Sequence, residues 1–505
     1  MLTKLGFKVL VVLAVTTLAG YFGIRIYYYF ALGYGVIDRM LALALLAGEG
    51  HAIQHAFGFM LGVFKLQLPR RSIKKAKLRS DRLPSVAVLV PIRDEPREVV
   101  EQTLITLFSL DYANKHIYVL DGSRKPVCVR HDRFEARRYP FSYFHSSKPS
   151  HSKAQTINRY LHRFKEKYLV IFDVDQNPLA EFITETVKVA EADDNIAFVQ
   201  TPQLYSNIDV SPIAKGAAMQ QSIFYESICE AKGSENAMFC CGTNVLIRTD
   251  VLKEVGGFDE NSVTEDFSTS VDMHALGYRS VYLSRVLAFG LAPESLPAYL
   301  KQQTRWATGN TGVLRKLFSR LWHAPTSLTL VQWWEYSLSS SYYFVGWAFF
   351  ILMICPILFL LFDVPSYFIQ MKIYLLTFLP YYAMSSMLFY ATMKKRHYAP
   401  SSIVDGIIMS SLAFPVFMSA TLSGLFNRKT DFLVTPKGKG GRLSFWQLWP
   451  WNTMILLNAI AVLFGLFSPD LLSYPVLVNM LWCLYHIIVL VNIHRLNQQP
   501  DFSTK

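Results

Sequence analysis

Two aspartates on alternate residues, Asp173 and Asp175, close the apolar run YLVIFDVD. At the carboxyl end of a buried strand, where α/β sheets bind ligands, such a pair can hold Mg²⁺ or Mn²⁺ through oxygen and leave the other coordination positions to water and a diphosphate. The plainer alternative is a pair of acids capping the next helix. Asp121 ends a second strand-like run, IYVLDGSR, where it can contact the base or ribose of a nucleotide or simply make an Asp-Gly turn. Thr264-Glu265-Asp266, after GGFDENSV, adds a third acidic centre. A carboxylate beside a metal-bound leaving group suits a general base acting on a sugar hydroxyl, with solvated loop acids as the alternative. In Gln302-Gln303-Thr304-Arg305-Trp306, arginine can grip diphosphate oxygens and the tryptophan face can stack on a sugar ring. An amphipathic interfacial helix with an aromatic anchor accounts for the same residues.

These groups need a scaffold. From about residue 66 to 330 the chain alternates strand-like runs (SVAVLVPI, HIYVL, YLVIFDVD) with helical patterns, which predicts an α/β domain with a largely parallel sheet. The flanks are different. The chain is 52% hydrophobic and 14% aromatic, and apolar runs long enough for a bilayer, about 20 residues each, fall near 6–24, 40–65, 334–361, 367–392, 448–467 and 474–493. The first has no small-residue cleavage site and reads as an anchor. The second is weaker because it carries Glu49, His51 and His55, which at that depth must face protein or water. A further run, IVDGIIMSSLAFPVFMSATLSGLF, is interrupted by Asp405 and Pro415 and is expected to lie along the interface or against the bundle. Three regions follow: 1–65 with membrane helices, 66–330 as the polar domain ending in interfacial helices, and 331–505 as a second membrane region.

The net charge of +13 gathers beside apolar runs, in Arg70/Arg71/Lys74/Lys75, Lys394/Lys395/Arg396 and Arg428/Lys429, while the loops near 362–366 and 468–473 hold no Lys or Arg. The positive-inside bias then places the polar domain and both termini in the cytoplasm, and it accounts for the charge without a nucleic-acid partner. Six cysteines show no CxxC or Cys/His spacing, so reduced thiols are expected.

The order D…DxD…TED…QxxRW resembles the processive family 2 glycosyltransferases, which include cellulose, chitin and hyaluronan synthases. HSKAQTINRYL, VQTPQLYSN, MFCCGTNVLIR, EVGGFDENSVTED and GLAPESLPAYLKQQTRWATG, spread over most of residues 85–320, look most like the bacterial cellulose synthase catalytic subunit. FLVTPKG, inside the basic glycine-rich stretch 430–442, resembles that family's FxVTxK gating loop. The resemblance implies a cytosolic GT-A-like domain joined to an α-helical transmembrane bundle with interfacial helices. It further implies UDP contacts at Asp121, Glu95 and Lys153, diphosphate and metal contacts at Asp173 and Asp175, and the catalytic base at Asp266. Cys241, Gly242 and Glu265 would lie near the acceptor, Gln302, Arg305 and Trp306 would flank the diphosphate and terminal sugar, and Thr435 and Lys437 would donate to the diphosphate. Three departures bear on nucleotide contact: Arg93-Asp94-Glu95 replaces a Tyr-Asn-Glu run, the family's paired aspartates shrink to Asp121, and Cys240 stands where the family has Phe.

By this resemblance the chain is a membrane enzyme that builds a β-glucan from UDP-glucose with Mg²⁺ or Mn²⁺ and passes the polymer through its helices, in contact with membrane lipid and open to accessory subunits. Trp333, Trp334, Tyr336, Tyr342, Tyr343 and Trp347 offer a stacking path for sugar rings, or an interfacial aromatic belt. Rival readings are a synthase of another β-linked polysaccharide (β-1,3, mixed-linkage or capsular glucan, hyaluronan, chitin), a non-processive transferase loading a lipid carrier, and a transporter with a cytosolic domain. About a dozen residues follow the last apolar run, so control by cyclic-di-GMP is expected to need another chain.

Overall fold

The computed structural model describes residues 3–31, 33, 35–68, 73–146, 150, 152–365, 369–396, 398–428 and 441–498. Strand β1 (Val86–Ile92) shows why the polar region folds as it does. Its run is apolar at nearly every position because both faces are covered: Val86, Val88, Val90 and Ile92 enter one core, and Ala87 and Leu89 enter another. Around it stand β2 (Lys115–Asp121), β3 (Ser142–His145), β4 (Tyr168–Ile171), β5 (Asn177–Pro178), β6 (Ile196–Gln200), β7 (Leu204–Tyr205), β8 (Val245–Arg248), β9 (Arg279–Tyr282) and β10 (Ala288–Gly290). Seven of them form one sheet in the order β3-β2-β1-β4-β8-β6-β9, and β5-β10-β7 form a small second sheet.

The expected parallel sheet is present with one reversal. β8 runs antiparallel to both β4 and β6, whereas the other pairs of the large sheet are parallel. That reversal sets Ile171 of β4 opposite Val245 of β8. The residues entering β8 therefore lie beside the residues leaving β4, which brings 240–244 next to Asp173.

Among the described residues, five helices are long and apolar enough to cross a membrane: Lys4–Ala31, Leu330–Phe362, Met371–Lys395, Phe445–Leu466 and Tyr474–Leu496. The interrupted run forms two helices, Pro400–Leu412 and Phe414–Leu425, bent by 51°, with Pro415 in the first turn of the second, where its missing N–H costs nothing. Helix Val36–Lys65, expected as a weaker crossing, does not join the five. Its ionisable groups face protein, as their depth demanded. Glu49 takes hydrogen bonds from Arg25 (2.7 Å) and Tyr21 (2.9 Å), and the His55 ring nitrogen Nε2 lies 3.1 Å from the Leu338 carbonyl oxygen.

Helix Leu296–His323, which carries QQTRW, joins the two halves of the molecule. A Cβ at Gly309 would lie 2.4 Å from Thr264 Cγ2, and one at Gly424 would lie 2.5 Å from the Thr308 carbonyl oxygen. Bare glycine faces thus let this helix touch the TED segment on one side and the Phe414–Leu425 helix on the other. Gly424→Ala is expected to destabilise by about 1–3 kcal/mol through overpacking against backbone. Gly312→Ala, where an added Cβ meets nothing within 4 Å, is expected to stabilise by roughly 0.5–1 kcal/mol. Thermal unfolding of the two variants in detergent checks the pair.

Candidate active site

At the carboxyl ends of β1 and β4 the sheet opens into a cavity of about 690 Å³. Lys153 begins helix Lys153–Leu161, whose N-cap Ser152 accepts the Gln155 amide. Its Nζ reaches across the floor to Asp173 Oδ1 (2.5 Å) and the Gly242 carbonyl oxygen (2.5 Å). The Asp173 amide donates to Thr243 Oγ1 at 2.9 Å, so the end of β4 and the approach to β8 are tied at two points. Asp175 stands two residues further along the same wall.

Asp266 lies in the first turn of helix Glu265–Ala275, and its Oδ1 accepts the Phe267 amide at 2.8 Å. Gly242 makes room for it. At φ +80°, a Cβ on this residue would come within 2.6 Å of Asp266 Oδ2, so both the backbone conformation and the close approach require glycine. The Cys240 amide donates to Ser270 Oγ and the Cys241 amide to Gln200 Oε1, each at 2.8 Å, which fixes the loop against the helix and β6. Gln302, Arg305 and Trp306 occupy positions i, i+3 and i+4 of their helix and line the cavity together.

Burial decides the electrostatics. It pushes the Glu265 carboxyl up to about 7, helped by the neighbouring Asp266 charge. Asp266 is also raised by burial, although the Phe267 N–H, Lys153 and Arg305 oppose the shift. Burial alone would lower Lys153, yet the Asp173 carboxylate carries it above its ordinary value. Asp173 and Asp175 supply hard oxygen donors to this acidic hollow, a donor set that fits a divalent cation shared with a diphosphate.

The expected residues largely converge. Glu95, Lys153, Asp173, Asp175, Cys241, Gly242, Glu265, Asp266, Gln302, Arg305 and Trp306 all line the one cavity. Asp121 does not. It is 1% exposed, and its carboxylate accepts from the Tyr143 hydroxyl and the Ser123 amide, so it braces the strand-end loop behind the wall. Thr435 and Lys437 lie outside the described residues. Of the six aromatics proposed as a sugar path, Tyr342 and Tyr343 line the cavity. Tyr336 is fully buried with its hydroxyl 2.6 Å from the His274 ring, and the Trp333 and Trp347 N–H groups bond to Pro325 and Thr421.

Arg93 and the expected Glu95 are presented by Asp94, which adopts φ +53° and takes the Arg124 and Lys125 amides on its Oδ1 (3.1 and 2.9 Å). Sequence reasoning missed other wall residues. Phe224, Tyr225, Ser227 and Ile228 come from a π-helical turn, Phe224–Cys229, a widened geometry frequent at functional sites. Only the aromatic IFY of that stretch offered a signal.

Residues 84–309 match the family model described as "Glycosyltransferase like family 2". The chain is 26% identical over 476 residues to the cellulose synthase catalytic subunit [UDP-forming] of Pseudomonas fluorescens, covering 90% of this chain and 61% of that one. It is 31% identical over 291 residues to the subunit of the same name from Xanthomonas axonopodis pv. citri, covering 55% and 38%. The chain thus spans less than two thirds of either relative. Among solved structures, a mannosyltransferase of Pyrobaculum calidifontis, in complex with GDP-Man and Mn²⁺, superposes with a TM-score of 0.51 at 16% identity over 78% of this chain and all of that one, a likeness of fold that makes the α/β domain GT-A-like. Residues 84–309 thus match the family 2 glycosyltransferase model, and the chain, with its long apolar helices, is similar to cellulose synthase catalytic subunits over as much as 90% of its length.

Proposed function

We propose that this protein is a processive, inverting glycosyltransferase that polymerises a β-glucan from UDP-glucose on the cytoplasmic face and passes the product into its helical bundle. The observation that carries this reading is a single cavity whose floor holds Lys153, Asp173, Asp175 and Asp266, and whose far wall is Tyr342, Tyr343 and Phe417 at the start of the apolar helices. Donor chemistry and a route toward the membrane share one space. The cytoplasmic placement of residues 66–330 and of both termini rests on the basic residues flanking the apolar runs.

Asp266 Oδ2 takes the proton of the acceptor hydroxyl as that oxygen bonds to the anomeric carbon, while the bond from that carbon to the UDP oxygen breaks on the opposite face. Arg305 and Lys153 bear on the charge that develops on the departing diphosphate. Asp173 and Asp175 would hold Mg²⁺ or Mn²⁺, which when bound neutralises diphosphate oxygens and makes UDP a better leaving group. Trp306 stacks on the terminal sugar, with Cys241 and Gly242 beside it. Arg93 and Glu95 face the nucleotide, so a guanidinium takes the place a tyrosine ring has in the resembling enzymes.

Purified protein given Mg²⁺ or Mn²⁺ and a panel of UDP-sugars is expected to release UDP and form a polymer from UDP-glucose that a β-1,4-specific hydrolase degrades. A short lipid-linked product would overturn processivity, and solute flux without UDP release would overturn the enzyme reading. Asp266→Asn is expected to lower polymer formation at least about 100-fold while retaining UDP binding. Gly242→Ala should cost a similar factor by displacing the Asp266 carboxylate, whereas Gly256→Ala, also at positive φ but with open space around it, should affect stability only. Burial pushes Glu265 to about 7, so it is already neutral where Asp266 takes up its proton. Glu265→Gln is therefore expected to leave the acid limb of the activity profile in place, as measured by UDP release.

A further inference from the structure

Away from the cavity, helices Arg97–Phe108 and Pro126–Ala136 pack side by side over the sheet and bring Glu101, His131 and Glu135 together. One ligand atom from each lies within 4.8 Å of the other two. His131 Nε2 is 3.4 Å from Glu101 Oε1 and 3.7 Å from Glu135 Oε1. Four ligands at tetrahedral zinc bond lengths of about 2.0–2.2 Å stand roughly 3.3–3.6 Å from one another. The two separations from His131 are thus already near those of such a shell.

The buried member is what marks this cluster as built for a cation. Glu135 is 1% exposed, and although its Oε2 accepts from Arg138 at 2.7 Å, its Oε1 has no hydrogen-bond partner among the described residues. A buried carboxylate oxygen left in that state costs free energy that a metal ion would recover. The opposite ring nitrogen of His131 is 3.2 Å from Asp132 Oδ1, the carboxylate–histidine arrangement that leaves Nε2 for a metal. Arg97 competes for the same oxygens, with Nε 2.6 Å from Glu101 Oε1 and a guanidinium nitrogen 3.7 Å from Glu135 Oε1, but its side chain is 62% exposed and can swing into solvent.

We propose that Glu101, His131 and Glu135 form a second divalent-metal site, suited to Zn²⁺ by its one imidazole and two carboxylates, distinct from the aspartates at the diphosphate. It clamps two neighbouring helices. Asp132 Oδ2 also meets Ser123 Oγ at 3.3 Å, and Ser123 Oγ accepts the Asp94 amide at 2.9 Å, so the clamp is tied to the loop that presents Arg93 and Glu95.

The test uses the full-length protein in detergent, stripped with chelator, dialysed against Zn²⁺ and titrated against a chromogenic chelator, with bound metal measured by mass spectrometry. About one tightly held equivalent is expected, lost in Glu101→Gln and in His131→Ala and weakened about 10–100-fold in Asp132→Asn. The double variant Asp173→Asn, Asp175→Asn should keep it. Arg97→Ala should bind Zn²⁺ more tightly, because a competing cation is gone, whereas a purely ionic cluster would gain no metal from that change. Because Glu101 is partly exposed, Glu101→Gln should keep the circular dichroism of the wild type while losing the rise in melting temperature on adding Zn²⁺. Equal Zn²⁺ binding by wild type and Glu101→Gln, or loss of the ion from the double aspartate variant, would overturn the proposal.

Discussion

Lys153 Nζ, placed between the Asp173 carboxylate and the Gly242 carbonyl, is the contact on which the rest of the site depends. Asp173, Asp175, Glu265 and Asp266 line one hollow, and the buried Glu265 and Asp266 resist ionisation there. A cation at the floor offsets part of that cost and at the same time ties β4, the approach to β8 and the Lys153–Leu161 helix into one frame. Burial, seconded by the neighbouring negative charge, raises Glu265 and Asp266 toward the range where a carboxylate accepts a proton readily, and Asp173 and Asp175 supply oxygen donors suited to a divalent ion.

Around this frame, close approach without side chains is the recurrent device. Gly242 admits the Asp266 carboxylate, Gly309 admits Thr264, and Gly424 admits the backbone of the QQTRW helix. Each removes a methyl group's worth of separation where two functional segments meet. The helix Leu296–His323 is consequently pinned to both the α/β domain and the Phe414–Leu425 helix, so packing holds Arg305 and Trp306 against the cavity. Tyr342 and Tyr343 then continue the wall toward the apolar helices, while Tyr336, Trp333 and Trp347 are spent on holding those helices in place.

Much of this was legible from the chain alone, because local pattern reports local environment. The uninterrupted apolar run of β1 announced a strand covered on both faces, DVD and TED announced carboxylates at element ends, and the spacing of Gln302, Arg305 and Trp306 announced one helical face. Runs of about 20 apolar residues announced the long apolar helices, and the likeness to family 2 glycosyltransferases was legible in the order of the motifs. Charged Glu49 made Val36–Lys65 a doubtful crossing from the start, and only its ion pair with Arg25, from another helix, shows how that charge is accommodated.

Other features needed the folded chain, for one physical reason: they are distances between residues far apart in sequence, which periodicity does not encode. The reversed direction of β8, the occupation of Asp121 by Tyr143 and Ser123, and the meeting of Glu101 with His131 and Glu135 are set by how whole elements pack. Composition and spacing determined which chemical groups this protein carries and on what kind of element each sits. Tertiary packing decided which of them share a cavity, because burial and proximity, and with them the charge state of a carboxylate, exist only once the sheet, its helices and the apolar bundle have closed on one another.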